Sequence, residues 1–260
     1  MTFGEEAVED AVGAILAHSI KAGARMLKKG RVLTREDVLA LASAGIARVI
    51  VARLETGDIA EDEAADRLAD ACLGPLLARS RAATGRVNLS AETHGLLLLD
   101  RARIDTLNRL DEAVTLATLP PWSVVQPRDM VATVKIIPFA VDRRIIAAAT
   151  AIARQGGPLL ELRPFTGRKV GLVLTRLSVT KESVLDNTVE ATRDRVVALG
   201  GELLPEERCG HDTVEVAAAL KRLKDAGARI LLIAGASAVV DRRDVCPAAI
   251  LRAGGTIHHF

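Results

Sequence analysis

The chain has 260 residues, of which 49% are apolar and 26% charged, and its formal net charge is only +2. This near-neutral balance excludes the strong positive field by which proteins attract DNA, RNA or anionic membranes. With no tyrosine, one tryptophan and four phenylalanines, the chain also lacks the aromatic platforms on which single-strand binders stack bases. We therefore expect no nucleic-acid partner and no membrane partner, and a core built from Ala, Leu, Val and Ile.

The cysteines and the apolar runs predict a cytoplasmic protein. Cys72, Cys209 and Cys246 are odd in number and far apart, which favours neither a disulfide framework nor a zinc site. The acidic N-terminus lacks the basic-then-apolar layout of a signal peptide. The longest uncharged apolar run, 230–240, is about half of the roughly 20 residues that cross a bilayer.

Glycine and proline near the middle of the chain predict a domain boundary. Both residue types occur in the segments 155–158 and 164–167. The pattern of apolar and polar residues changes there and alternates regularly downstream. A length of 260 residues also suits one large or two modest domains. We expect two domains, 1–160 and 168–260.

The first of these domains mixes helical and strand patterns without a fixed period, which predicts an α+β fold. Thr34 should cap a helix that runs to Ala44. The other predicted elements are a helix over 60–72 and strands over 48–54, 96–99, 113–116 and 130–139.

The second domain alternates regularly between strand and helix, which predicts a three-layer α/β fold around a parallel sheet. The predicted strands are 169–175, an edge strand over 202–207, a strand over 229–234 buried on both faces, and 256–260. The predicted helices are 183–199, 212–226 with Asp212 as its cap, and 244–253.

Ligands of an open parallel sheet bind beyond the carboxyl ends of its strands. The first loop there, 175–183, offers hydroxyls, two cations and backbone amides entering a helix, all of which suit phosphate. An ordinary polar loop explains the same residues. The candidate ligand-binding residues are Thr175, Ser178, Ser183, Asp186 and Asn187.

The two later loops carry acidic and basic groups. Asp212 follows His211 and either caps a helix or contacts Mg²⁺ or a ligand hydroxyl. The loop over 235–247 combines a small-residue turn with four consecutive charges, so it is either a ligand loop or a solvated one. Its candidates are Gly235, Ala236, Ser237, Asp241, Arg243 and Asp244.

Several common enzyme signatures are missing from the sequence. There is no GxGxxG after a strand, no Walker A lysine motif, no HExxH and no GxSxG. His258 and His259 are neighbours on a predicted strand, where they would face opposite sides and make a poor chelating pair.

Residues 168–260 resemble the molybdopterin-binding domain of molybdenum-cofactor biosynthesis proteins. RDVCPAA over 243–249 is similar to the R-D-x-x-P-x-A run of the molybdopterin adenylyltransferases, and the GAS turn over 235–237 to their G-G-T/S turn. The other segments that carry this resemblance are KVGLVLT, SVLDN, ALGGEL and the pair His211-Asp212. Residues 13–54 resemble a segment of the two-domain molybdopterin molybdenumtransferases, through GAILAH, LKKG and LTRED.

The resemblance implies molybdopterin or its nucleotide as the ligand, Mg²⁺ as a further cofactor, and a homo-oligomer. Ser237 and the backbone of Gly235 would hold the phosphate, and Asp212 and Asp244 would be the catalytic candidates. The chain departs from the pattern because TRLS over 175–178 replaces the T-G-D-E turn of the molybdenumtransferases, and Ala236 replaces a glycine. It also stops at Phe260, before a loop that the family usually has, so either the native C-terminus is short or the chain is truncated.

Three functions remain open from the sequence. The first is a protein that binds or carries molybdopterin without chemistry, which the missing acidic turn favours. The second is a Mg²⁺-dependent transferase that adenylylates molybdopterin or inserts molybdate into it. The third is a structural or regulatory homologue that retains only the fold.

Overall fold

The computed structural model describes residues 1–259 and divides the chain into two compact units. The first unit is Met1–Pro164, and the second begins at Phe165. Within the described residues there are seven α-helices and several small sheets, so the mixed α/β class expected from the sequence is confirmed. None of these helices is both long enough and apolar enough to cross a membrane.

The strands of the first unit pair in antiparallel fashion and form small sheets. Their bounds are β1 Thr2–Ala7, β2 Ile15–Leu16, β3 Ile20–Ala22, β4 Arg25–Leu27, β5 Arg48–Arg53, β6 Asp58–Ala60, β7 Leu77–Arg79, β8 Arg86–Ala91, β9 Gly95–Leu99, β10 Val114–Thr118, β11 Val124–Val125, β12 Met130–Ile136, β13 Ala140–Asp142 and β14 Leu160–Pro164. The sheet orders are β1-β5-β2, β10-β12-β8-β7, β11-β9-β14, β13-β6 and β3-β4.

Four helices belong to the first unit: α1 Arg35–Ser43, α2 Glu61–Cys72, α3 Arg101–Asn108 and α4 Arg143–Arg154. The larger core of this unit lies between α2, α4 and the sheet of β8, β10 and β12, and it consists of aliphatic side chains. The helices predicted over 34–44 and 60–72 are confirmed, as is the strand predicted over 48–54.

A buried carboxylate holds the start of α1. Thr34 caps the helix as predicted, because its Oγ1 accepts from the Asp37 amide while Asp37 Oδ2 accepts from the Thr34 amide. Asp37 is fully buried, and Arg31 Nε donates to its Oδ2 over 2.7 Å. The ion pair with Arg31 lowers the pKa of Asp37 to about 2. It also ties the start of α1 to Arg31, two residues after Lys29.

The second unit contains β15 Lys169–Arg176, β16 Glu202–Leu203, β17 Glu207–Gly210 and β18 Ile230–Ala234. Its helices are α5 Glu182–Ala198, α6 Thr213–Asp225 and α7 Val245–Arg252. β15 is the central strand, since β16 and β17 pair parallel along one side of it and β18 pairs parallel along the other.

Side chains of β15 pack alternately on two helical layers. Val170, Leu172 and Leu174 belong to the cluster that includes Leu185, Val189 and Val196 of α5. Val173 faces the opposite way, into a cluster with α6 and with Ala249 of α7. An uninterrupted apolar strand is therefore buried on both faces, which is typical of parallel sheets.

Three of the strands predicted for the second unit differ from the structure. The predicted strand over 202–207 is split into β16 and β17, because Pro205 has no amide hydrogen to donate and the chain leaves the sheet there. β18 is an edge strand within the described residues, whereas burial on both faces was expected. α5 covers β15 but leaves Ile230 45% exposed and Leu232 38% exposed.

The predicted last strand, 256–260, was wrong for residues 256–259, which form neither helix nor strand. Phe260 lies outside the described residues. The helix predicted over 212–226 is confirmed as α6, and the helix predicted over 244–253 as α7.

Close packing of α6 on β15 depends on Gly171. A Cβ at this position would lie 2.9 Å from Leu223 Cβ and 2.9 Å from Leu231 Cδ2. We predict that Gly171→Ala destabilises the second unit by about 1–3 kcal/mol, because the helix must move off the sheet. Urea denaturation measures the change. Gly4→Ala is the matched control, since no atom lies within 4 Å of its added Cβ, and an equal loss in both variants would contradict the prediction.

Candidate functional site

Three loops meet at the carboxyl edge of the parallel sheet, and the Thr175 hydroxyl joins them. Thr175 is the penultimate residue of β15 and is only 1% exposed. Its Oγ1 accepts from the Ala236 amide over 2.7 Å and lies 2.9 Å from His211 Nδ1. The predicted ligand residue therefore has its hydroxyl satisfied inside the protein, where it fixes the ends of β17 and β18.

His211 is placed by the backbone as well as by this hydroxyl. Its amide donates to the Arg176 carbonyl over 3.1 Å, which continues the pairing of β17 beside β15. When Thr175 donates its hydroxyl hydrogen to Nδ1, the neutral ring carries its own proton on Nε2. His211 is half-buried and lies at the centre of the three loops.

The loop after β18 begins at a glycine because there is little room for a side chain. A Cβ on Gly235 would lie 3.2 Å from Cys246 Sγ and 3.3 Å from the Ser237 carbonyl oxygen. Ala236 follows with its amide committed to Thr175, and Ser237 is exposed. This turn leaves the Ser237 hydroxyl at the surface of the carboxyl edge.

Two carboxylates fold the rest of this loop on itself. Asp244 Oδ2 accepts from the Val240 amide over 2.6 Å and from the Asp241 amide over 3.0 Å. Asp241 Oδ1 accepts from the Arg243 amide over 2.8 Å. The amide hydrogen bonds from Val240 and Asp241 hold the pKa of Asp244 below its ordinary value, so its carboxylate is ionised at neutral pH.

Asp212 caps α6. Its Oδ1 accepts from the amides of Val214, over 2.8 Å, and Glu215, over 3.1 Å. Glu215 reaches back, because its Oε2 accepts from the Gly210 amide over 2.7 Å. The structural role weighed for Asp212 is thus confirmed, and its second carboxylate oxygen forms no hydrogen bond within residues 1–259.

The loop after β15 is more exposed than the other two. Ser178, Ser183 and Asn187 all lie at the surface, and their side chains form no hydrogen bonds with the rest of residues 1–259. The helix α5 begins one residue before Ser183, and Lys181 is its N-cap residue. These three side chains remain available to a ligand, but no hydrogen bond from the described part of the chain orients them.

Asp186 is engaged by an arginine that the sequence did not single out. Arg208 Nη2 donates to Asp186 Oδ1 over 2.8 Å and to Glu206 Oε1 over 3.0 Å, and Arg208 Nη1 donates to Glu182 Oε2 over 2.8 Å. These bonds tie α5 to β17. Asp186 is 22 residues from Arg208 in the chain, so no local pattern predicts the pair.

The described residues form no metal site. No group of three or more His, Cys, Asp or Glu side chains among residues 1–259 has a geometry that could hold a metal ion. The three cysteines are buried and free, as expected for small apolar residues. Burial raises the pKa of the Cys209 and Cys246 thiols, and that of Cys72 to about 12, so none of them is poised as a nucleophile.

Comparison with known proteins gives one partial match. A family model described as a domain of unknown function (DUF8806) matches residues 5–53, which lie in the first unit. No curated protein matches the chain. The matched segment contains α1, its Thr34 cap and the buried Asp37.

The hydrogen bonds of Thr175 lead to a prediction about how rigidly the loop after β18 is held. We expect Thr175→Val to destabilise the second unit by about 1–3 kcal/mol, because the part-buried Ala236 amide loses its acceptor. Hydrogen exchange of the Ala236 amide should accelerate more than exchange in the core of α6. Thr175→Ser retains the hydroxyl and is the matched control. Unchanged exchange at Ala236 in the valine variant would contradict the role given to this hydroxyl.

The Asp244 carboxylate should make the loop sensitive to acid. Its pKa is lower in the folded protein than the ordinary value of about 3.9, so its stabilising bonds exist above that value and are lost as the pH falls through the folded pKa. Amide exchange at Val240 and Asp241 should therefore increase, after correction for intrinsic rates, below about pH 4. Asp244→Asn should not show this increase in exchange. The same increase in the variant would mean that a different group titrates.

Proposed function

We propose that the second unit binds molybdopterin or its nucleotide form at the carboxyl edge of the β15–β18 sheet, as a binding or carrier protein in molybdenum-cofactor biosynthesis. The observation that carries the proposal is the junction of three loops on the Thr175 hydroxyl. The segments that resemble molybdopterin-binding domains include His211-Asp212, the GAS turn and RDVCPAA, and these belong to the loops that meet there.

The arrangement of helices around β15 supports the finer architecture of this proposal. β15 pairs parallel with all three other strands, and it packs on α5 by one face and on α6 by the other. We interpret the second unit as a three-layer, molybdopterin-binding-like α/β domain. In such a sheet the carboxyl edge is the place where a small ligand binds.

Four polar side chains of the loop after β18 match features of a phosphorylated pterin. The Ser237 hydroxyl and the exposed Arg243 side chain suit the phosphate oxygens, and arginine also binds ring carbonyls. Asp241 and Asp244 each use one carboxylate oxygen inside the loop. Their other oxygens are acceptors for the amine and amide hydrogens of the pterin.

Binding without chemistry is favoured over transfer because the acidic side chains are largely committed to the protein. Asp212 caps α6, Asp244 closes its own loop and Asp186 pairs with Arg208. A Mg²⁺-dependent transferase would have to use the remaining oxygens of Asp212 and Asp244. Within residues 1–259 they belong to no cluster of three metal-binding side chains.

Titration of the purified chain with molybdopterin under anaerobic conditions tests the proposal. We expect saturable binding by calorimetry and about a tenfold to hundredfold weaker affinity for Arg243→Ala, as for loss of one charge-assisted hydrogen bond. Arg193→Ala, which removes an exposed arginine from α5, is the matched control and should bind like the unmodified protein.

The outcomes separate the three functions left open by the sequence. Absence of saturable binding would overturn the proposal and favour the structural or regulatory homologue. If addition of Mg·ATP yields adenylylated molybdopterin by mass spectrometry, the protein is a transferase, and the carrier function is wrong. Equal weakening by Arg193→Ala would remove Arg243 from the binding surface.

A further inference from the structure

A cleft in the first unit, remote in sequence from the loops of the second, has the composition of a ligand site. Its volume is about 500 Å³, within the range of small-molecule pockets. Five segments of the chain form it. They are the N-terminus with Met1 and Phe3, the residues Lys29 and Gly30 after β4, Glu61 at the start of α2, Thr84 before β8, and the end of β12 with the following loop, which supply Lys135 and Phe139.

Aromatic side chains are concentrated in this cleft. The chain has four phenylalanines, and two of them, Phe3 and Phe139, line it together with Ile137 and Pro138. Phe3 is 58% exposed and Ile137 is 58% exposed, although both are large apolar residues. A ligand with a flat apolar portion would cover this surface, and covering it is favourable in water.

Two lysines bring positive charge to the same cleft. Lys29 Nζ lies 5.3 Å from the centre of the Phe139 ring, and Lys135 Nζ donates to the Thr84 carbonyl. Neither ammonium forms an ion pair within residues 1–259. Each therefore retains donors for an anionic group, as expected of a phosphate-binding lysine.

Glu61 supplies an acceptor beside the lysines. It is half-buried and forms no ion pair with any residue of the range 1–259. Burial raises the pKa of its carboxyl group, which the charges of Lys135 and Lys29 partly oppose. Gly85 approaches it so closely that a Cβ there would lie 2.7 Å from Glu61 Oε2, so the backbone helps to fix the carboxylate at the wall of the cleft.

We propose that this cleft binds a phosphorylated aromatic compound, of which a nucleoside monophosphate is the simplest probe. The phosphate would lie between Lys29 and Lys135. The ring would cover Phe3 and Ile137, and Glu61 would accept a hydrogen bond from an N–H or O–H of the ligand. Aromatic rings, ammonium groups and a carboxylate converge here from distant parts of the chain. A surface of scattered, solvated charges would not need to bring them together.

Titration of the whole protein with AMP, followed by residue-resolved amide NMR, tests this proposal. We expect saturable shifts at Gly30, Gly85 and Phe139, and about tenfold weaker binding for both Lys29→Met and Lys135→Met. Ribose 5-phosphate lacks the aromatic base and adenosine lacks the phosphate, so each should bind more weakly than AMP. Lys28→Met is the matched control, since Lys28 is exposed and does not line the cleft.

The site of the shifts keeps this inference separate from the proposed function. Shifts confined to Ala236 and Ser237 would place AMP at the second unit and overturn the proposal for the cleft. Absence of saturable shifts at Gly30, Gly85 and Phe139 would also overturn it, as would equal weakening by Lys28→Met. Lys28 and Lys29 are exposed and Lys135 is half-buried, and the amide spectra of the three variants without ligand verify that they fold.

Discussion

One hydroxyl, Thr175 Oγ1, determines how the carboxyl edge of the second unit is assembled. Its partners, His211 and Ala236, are 36 and 61 residues away in the chain, so the contact joins loops that no local interaction could bring together. It can do so because β15 is the only strand that neighbours both β17 and β18 within the described residues. The amide of Ala236 then fixes where the GAS turn begins, and His211 fixes where α6 can begin.

The central position of β15 follows from its composition. Val170, Leu172 and Leu174 face α5, while Val173 and the space beside Gly171 receive α6. A strand of this kind is stable only between two helical layers, and that burial leaves Thr175 as the first polar group at its end. The hydroxyl is buried because the strand is, and its two partners remove the penalty that an unpaired hydroxyl would incur.

Sequence patterns predicted the features that depend on neighbouring residues. They failed for features that depend on contacts between distant segments of the chain. Thr34 and Asp212 were recognised as caps because a cap is defined by the three residues after it. The division of 202–207 into β16 and β17 depends on where β15 has free backbone groups, and the exposure of Ile230 depends on how far α5 reaches. The pairing of Asp186 with Arg208 likewise joins separate elements. Asp186, predicted as a ligand-binding residue, therefore has a structural role that links α5 to β17.

The scarcity of aromatic residues separates the two candidate sites chemically. The loops of the second unit offer backbone groups, hydroxyls, carboxylates and Arg243, so a ligand there would be recognised by hydrogen bonds. The cleft of the first unit instead concentrates Phe3 and Phe139 beside two lysines. Of its charged residues only Lys29 lies in the segment 5–53 that matches a known family model, because Glu61 and Lys135 come later in the chain. The matched segment alone therefore cannot form this cleft, which requires the first unit to fold as a whole.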